Sequence, residues 1–406
     1  MVILKIAWRN IWRNKVRSLV VITAIALGLW AGTFASGFYE GMIDQKIEDV
    51  INNEYAHFQV HDSLFREELL LMKNIKGHQA IVDALAADDS VKAFTSRTII
   101  SGMFASSRKT GALRLLGIDP TSEAAVTGLD QRLIDGAYFE GIKRNPILIS
   151  KKTAETYGLD LRNKVVVTAQ DAEGEIVAAS FRVVGIFSSN NGMFDGMNAY
   201  VLATDVQRML SLSDDHYHEI AVMLKENGLA ESYAEKYAKR FPEQEVLPWL
   251  DLAMGMRYMV EASGTFSFVI VAIILFALLF SIVNTMLMAV MERTREIGML
   301  KAVGLSRGRV FAMIMIETLL LSMVGAPIGM FATYLMIQRT GEVGIDLGEI
   351  GETYSDLGFS AVVYPSLDLQ TYFSIGIMVL FMALIAALYP ALKAVRLNAS
   401  EAIRKI

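Results

Sequence analysis

Four apolar stretches, each long enough to cross a bilayer, constrain this chain more than any other feature. Residues 18–39 run for 22 positions without a charge, residues 265–291 for 27, and residues 372–392 for 21. Residues 310–337 form a fourth run of 28 with one charge, Glu317. A spanning helix needs roughly 20 apolar residues to cover about 30 Å of hydrocarbon. The second and third runs exceed that need and should tilt or project beyond the bilayer. The 406-residue chain is 53% apolar and 20% charged, with a mean hydropathy of +0.39. That average is too oily for a soluble protein and not oily enough for one wholly in lipid. The predicted fold class is therefore an α-helical integral membrane protein with a sizeable water-soluble part. The chain has no cysteine, which excludes disulfides, zinc–cysteine sites, iron–sulfur clusters and thiol catalysis.

Charge on the short connections sets the orientation. Residues 1–17, the 292–309 link and the 393–406 tail together hold 14 basic residues, among them Arg13, Arg17, Arg293, Arg309, Lys393, Arg404 and Lys405. The 338–371 loop holds one base, Arg339, against six acids. By the positive-inside rule both termini and the 292–309 link are cytoplasmic. The first apolar run is longer than a signal-peptide h-region of about 7–15 residues, so it reads as a retained span.

Residues 41–263 then lie outside, between spans one and two. They carry 32 acids and 23 bases, which argues against nucleic acid or an anionic lipid surface as the main partner. Their pattern is mixed α/β. Residues 55–62 alternate as a strand, and residues 77–87 follow a helical period with Ile81, Val82 and Leu85 on one face. Residues 91–105 and 111–118 are strands about the polar turn 106–109. Residues 165–168 and 176–187 flank a turn at 171–174, where Gly174 suits a positive φ. Residues 218–224, 229–240 and 244–247 read as strand, helix and strand. The expected layout is two subdomains, the middle one (119–203) inserted into a unit built from the flanks. From Asp251 a helix runs into span two, a connection that transmits movement where a loose linker would not.

Three stretches resemble one known family. AWRNIWRNKVRS at 7–18, ERTREIGMLKAVGLS at 292–306, and YPALKAVRL at 389–397 followed by EAIR at 401–404 are similar to the lead-in, the cytoplasmic signature and the C-terminal pattern of the MacB/FtsX-like permeases of ABC transporters. With one span, a large outside domain and three further spans, the resemblance covers the whole chain. The short lead-in and the strand around His57 and His61 look most like the lipoprotein-releasing LolC/LolE branch. No G-x-x-x-x-G-K-S/T motif occurs, so nothing here cradles nucleotide phosphates by the P-loop route. The resemblance implies a separate ATPase subunit that binds ATP and Mg, and a second permease subunit, identical or not. No catalytic residue and no cofactor are expected in this chain itself.

The link is the expected ATPase contact, through Glu292, Arg293, Arg295, Glu296, Ile297, Gly298, Leu300, Lys301 and Gly304. As a helix it places Ile297, Leu300 and Lys301 on one side, with Gly304 as C-cap and Ser306 capping span three. On spacing alone the same charges serve equally well as span anchors; the family resemblance favours the partner. Ala24, Gly28, Gly32 and Ser36 form a small-residue ridge for close helix packing. In LolC/LolE-like relatives the first two spans line a cavity open to the outer leaflet, which would place Phe34, Phe38, Met42, Met259, Phe266 and Ile270 against a greasy substrate. Glu317, the one ionisable residue inside a span, should pack against the link, and no chain of groups accompanies it for a proton relay. Asn284 should hydrogen-bond a neighbouring helix, and Pro327 should kink span three.

The five histidines read as solvated strand polars and not as metal ligands, since too few other ligands converge with them. The loop 188–198 carries Met193, Phe194 and Met197, which suit either a partner or the domain's own core. The resemblance implies a permease that turns ATP hydrolysis into movement of its outside domain, to draw lipoproteins or similar amphiphiles from the inner membrane for a periplasmic carrier. An FtsX-like switch on a cell-wall hydrolase and a MacB-like efflux subunit with an adaptor are the rival readings.

Overall fold

The computed structural model describes residues 2–13, 15–65, 71–141, 144–189 and 191–396. Arg404, Lys405 and the EAIR pattern of the tail, and Asn190 of the 188–198 loop, lie outside the described residues. Two compact units are formed. A helical unit comprises Met1–Ile43, Glu261–Ile345 and Val363–Ile406, and an α/β unit comprises Asp44–Val260 and Asp346–Val362. The chain thus has four candidate membrane helices with a large α/β domain between the first and second.

The span helices are Lys15–Val50, Met254–Glu292, Arg307–Val343 and Leu369–Arg396. Each is longer than its apolar window, because helix-favouring residues such as Lys46, Glu48 and Glu261 continue the pattern where lipid no longer sets the length. Close approach is bought by glycine. A Cβ on Gly28 would lie 2.6 Å from Leu278 Cδ2, and one on Gly32 2.7 Å from Ile274 Cδ1, so this face of span one packs on span two. Its other face meets span three, where a Cβ on Gly329 would lie 2.5 Å from the Ala26 carbonyl oxygen. The Thr333 hydroxyl, on the same span, lies 3.0 Å from the Gly329 carbonyl and 3.3 Å from that of Trp30. Span four adds a buried alanine row, Ala383, Ala386, Ala387 and Ala391. Asn284 is exposed on span two. Span three continues as helix through Pro327.

The α/β unit is organised by one long strand. Strands β1 (Phe58–Asp62), β2 (Val91–Ala105), β3 (Thr110–Ile118), β4 (Leu133–Gly136), β5 (Pro146–Ser150), β6 (Lys164–Gln170), β7 (Ile176–Phe187), β8 (Asn198–Leu202), β9 (Glu219–Leu224) and β10 (Gln244–Pro248) lie in the order β10-β1-β9-β2-β3-β8-β5-β7-β4, with β6 paired to β2 and β7. Residues 91–97 of β2 pair with β9, and residues 98–105 with β3. One lobe, around Phe58, Ile81, Ile220 and Tyr237, is therefore built from the flanks of the segment. The other packs Phe104, Leu115, Ile149, Val167 and Phe181. This second lobe starts at Thr98 within β2 and not at 119, because β3 and the latter half of β2 supply the edge onto which β8 and β6 pair.

Local departures have physical causes. Residues 51–55 form a π-helical turn, Ile51–Tyr55, closed by Ala56 at φ +55°, so the first strand begins at Phe58 and not at Tyr55. The 338–371 loop is not plain: it contains paired strands Ile345–Asp346 and Val362–Val363 and a helix, Glu349–Asp356. The histidines are also not solvated. All five are buried, and the Nε2 of each is hydrogen-bonded within the fold. His218 Nδ1 accepts the Ile99 N–H at 2.9 Å and its Nε2 bonds the Leu71 carbonyl at 2.9 Å. His57 Nδ1 accepts the Leu224 N–H at 2.9 Å. The Arg97 guanidinium, also buried, donates to Glu123 at 2.7 and 3.0 Å, to Glu219 at 2.7 Å, and to the Glu54 carbonyl at 3.2 Å.

Two outcomes follow. Gly329→Val drives a side chain into backbone that cannot rotate away, and should destabilise the helical unit by about 1–3 kcal/mol, read as a lowered unfolding temperature of the purified protein. Burial holds His218 down to about 4, and holds His57 and His78 below the ordinary imidazole value for the same reason. A depressed value means that the unfolded chain takes the proton first. Stability is therefore full above pH ~6.5 and falls as the pH drops toward 4, by about 3 kcal/mol for His218. Melting curves at pH 7 and 4.5 should show that loss, and His218→Gln, which can offer the same acceptor and donor, should show less of it.

Candidate functional site

The link between spans two and three is the most elaborated polar site of the helical unit. Span two ends at Glu292, Arg293 leaves helical geometry, and a short helix, Thr294–Ala302, follows. Its end is a Schellman motif. Gly304 sits at φ +101°, its N–H bonds the Lys301 carbonyl at 3.1 Å, and the Leu305 N–H reaches the Leu300 carbonyl at 3.0 Å. Glycine is needed there for the positive φ. Ser306 occupies the N-cap position of span three, but its hydroxyl makes no capping bond, contrary to expectation.

Arg293 is the centre of the site. Its guanidinium is largely buried and donates from Nη1 to both oxygens of Glu317, at 3.1 and 3.2 Å, and from Nε to Glu296 at 3.2 Å. Glu317 thus faces the link, paired, from about two turns inside the apolar run of span three. Two further ion pairs join the lead-in to the link: Arg13 with Glu296 and Arg17 with Glu292. The lead-in helix, Val2–Arg13, is amphipathic. It buries Ala7 and Ile11 and exposes Lys5, Arg9 and the pair Trp8–Trp12, whose ring centroids are 5.9 Å apart. Ser18 Oγ donates to the Ile11 carbonyl at 2.7 Å, fixing the turn into span one. On the far side, Lys301 Nζ donates to the Val395 carbonyl at 3.0 Å, at the end of span four.

These contacts divide the expected contact residues into two sets. Arg293, Ile297, Gly298 and Lys301 face inward; Ile297 packs with Ile11, Val290, Val310 and Ile314. Of the three residues expected on one side of the helix, Ile297 and Lys301 turn toward the lead-in helix and spans three and four, while Leu300 is exposed. Glu292 and Glu296 are partly exposed and engaged by arginines of the lead-in. The outward face is Arg295, Met299, Ala302 and Val303, flanked by Leu300 and Gly304, with Met299 48% and Val303 89% exposed. Met299 and Val303 were missed. Their spacing of four from Arg295 to Met299, and again to Val303, is the signal that marks one helix face. Such a face of exposed apolar knobs beside a cation is suited to a groove on another protein.

The other expected group is dispersed. Phe34, Phe38, Met42 and Ile270 are half-buried on spans one and two, and Phe266 is exposed with its ring centroid 6.2 Å from that of Tyr39. Met259 belongs to the α/β unit, where it lines a cavity of about 770 Å³. The 188–198 loop resolves into both alternatives: Phe194 enters the core, while Met193 and Met197 stay exposed at that cavity. Among the described residues, no three metal-ligating side chains converge.

Comparison with known proteins matches residues 18–239 to the MacB-like periplasmic core domain and residues 268–399 to the FtsX-like permease C-terminal domain. The chain is 24% identical over 302 residues to the lipoprotein-releasing system transmembrane protein LolC of Xylella fastidiosa, covering 71% of this chain and 72% of that one. It is 28% identical over 158 residues to the macrolide export ATP-binding/permease protein MacB of Neisseria gonorrhoeae, covering 36% and 24%. A solved periplasmic region of MacB from Actinobacillus actinomycetemcomitans superposes with a TM-score of 0.37 at 14% identity, over 53% of this chain and 97% of that one.

Removing one partner of a buried ion pair leaves the other uncompensated. Arg293→Met should cost about 3–5 kcal/mol, and the Arg293→Met/Glu317→Met double variant should recover most of that loss. Unfolding temperatures of the three proteins, measured side by side, check the order.

Proposed function

Because this chain belongs to the MacB/FtsX-like family of ABC transporter permeases, we propose that it carries the stroke of an ATPase subunit to its α/β unit, and that the load is a lipoprotein or comparable amphiphile leaving the outer leaflet of the inner membrane. Homologues that are ABC transporter permeases imply an ATPase partner, and that partner binds ATP and Mg. The observation that carries the reading is the two-faced link. Its inner face is tied to the lead-in, to span three and to span four, through Arg293, Glu296 and Lys301. Its outer face presents Arg295, Met299 and Val303. A push on the outer face is delivered to a set of helices locked together, which is how a lever differs from a tether.

The load follows from what the spans lack. Glu317 is the one ionisable group within the apolar windows, and Arg293 neutralises it. The spans of this chain offer no polar path for a hydrophilic solute, so work done on something greasy at the outer face fits better. Likeness to LolC supports a lipid-anchored cargo, taken up beside Phe34, Phe38 and Phe266 and passed to a periplasmic carrier. Both termini sit on the cytoplasmic side by the basic-residue count, and a second permease subunit, the same or different, completes the pair.

Phe38→Asp should abolish release of acylated lipoprotein from reconstituted vesicles while the complex still assembles and hydrolyses ATP. Release at the unaltered rate would refute the lipoprotein reading. Co-purification of a cell-wall hydrolase or of an adaptor, with no acylated cargo, would point to the hydrolase switch or the efflux subunit instead.

A further inference from the structure

The α/β unit contains a cavity of about 770 Å³, lined entirely by its own residues. That volume lies in the range of roughly 300–1,000 Å³ typical of small-molecule sites. Five methionines contribute to its apolar wall: Met193 and Met197 from the short helix Gly192–Met197, and Met254, Met256 and Met259 from the start of the Met254–Glu292 helix. Phe359 of the 346–362 segment closes one side. Methionine is unbranched and polarizable, so such a wall adapts to flexible apolar ligands.

Several polar groups at this cavity are engaged within the fold. Asn191 Nδ2 donates to Glu54 Oε1 at 2.5 Å, Arg114 Nε donates to Asn198 Oδ1 at 2.7 Å, and Lys46 Nζ bonds the Gly358 carbonyl. The methionine helix is also held in place. Asn191 caps it by accepting the Phe194 N–H at 3.2 Å, Asp195 accepts from Ser189 Oγ at 2.6 Å, and Asn198 Nδ2 donates to the Phe194 carbonyl at 2.8 Å. Met193 and Met197, four apart on this helix, are 56% and 53% exposed. A pinned helix that keeps two methionines out of the core is a built wall and not a loose plug.

We propose that this cavity is a binding site for a single aliphatic chain of acyl length, received in the α/β unit itself. The chain sequence supports the occupant: residues 254–259 lead directly into the apolar run of span two, and Lys46 and Glu54 follow that of span one, so the site is formed by segments that adjoin lipid-facing helices. The chain comes from a membrane lipid or from the anchor of a lipoprotein; only this choice of source rests on the function proposed above.

The test uses the full chain in lipid nanodiscs and three diazirine-bearing probes: palmitic acid, a phosphatidylethanolamine and a synthetic triacylated lipopeptide. After illumination, peptides containing residues 191–198 and 252–259 are examined for adducts. The proposal expects adducts in both, and at least a tenfold loss of them in Met193→Gln/Met197→Gln, whose changes lie at exposed positions, but not in Met72→Gln, at an exposed methionine that does not line the cavity. Labelling by the lipopeptide identifies an anchor as the source. Labelling by the phospholipid alone upholds the cavity and counts against the lipoprotein reading. Adducts confined to residues 18–39 and 265–291, or equal labelling of wild type and the double variant, overturn the site, whatever the release assay of Phe38→Asp shows.

Discussion

The helical unit depends on one buried guanidinium. Taking Arg293 out of water is costly, and the cost is met only because Glu317 and Glu296 offer carboxylate oxygens at hydrogen-bond distance in a fixed fork. Those two acids sit on different elements, span three and the link helix. Arg293 itself ends span two. One side chain thus fixes the relation of three helices, and Glu296 extends the network to Arg13 of the lead-in. Lysine, a point charge without the fork, could not hold both acids in the same geometry. The Schellman turn at Gly304 then reverses the chain within a few residues, so that the link helix is held at both ends.

A comparable buried cation organises the α/β unit. Arg97 lies at the point where β2 changes partners from β9 to β3, and the acceptors around it come from the Pro120–Thr127 helix, from β9 and from the Glu54 carbonyl within the Ile51–Tyr55 turn. The two lobes share β2 as a continuous strand, with a buried salt-bridged group at the junction. That construction makes the α/β unit one compact body.

Much of this was legible in the sequence, and the boundary of legibility is physical. The four apolar windows, the turn at 106–109 and the helix at His78–Ala86 are local signals, set by composition and period over a dozen or so residues. The small residues at 28 and 32 announced close packing because their spacing puts them on one ridge. What sequence could not assign was sidedness. Ile297 in the link helix and Val303 at its C-cap are both apolar, and only the position of the lead-in and of span three decides that the first is buried and the second bare. Arg97 and its partners Glu123 and Glu219 are 26 and 122 residues apart, beyond any local pattern. The histidines looked solvated because alternation cannot tell a strand with one wet face from one covered on both. The 346–362 segment looked like a loop because its short strands carry too few residues to show a period.

The central claim is that the outer face of the link is where an ATPase subunit engages, and the absence of cysteine gives it a direct test. Single variants Val303→Cys and Ile297→Cys, placed in native membranes and treated with a short thiol-to-amine cross-linker, differ only in which face of one helix carries the thiol. The account predicts that Val303→Cys is joined to a nucleotide-binding subunit, in a yield that changes when ATP is added, and that Ile297→Cys is not. Cross-linking of Ile297→Cys alone, or of neither to any ATP-binding protein, would contradict it.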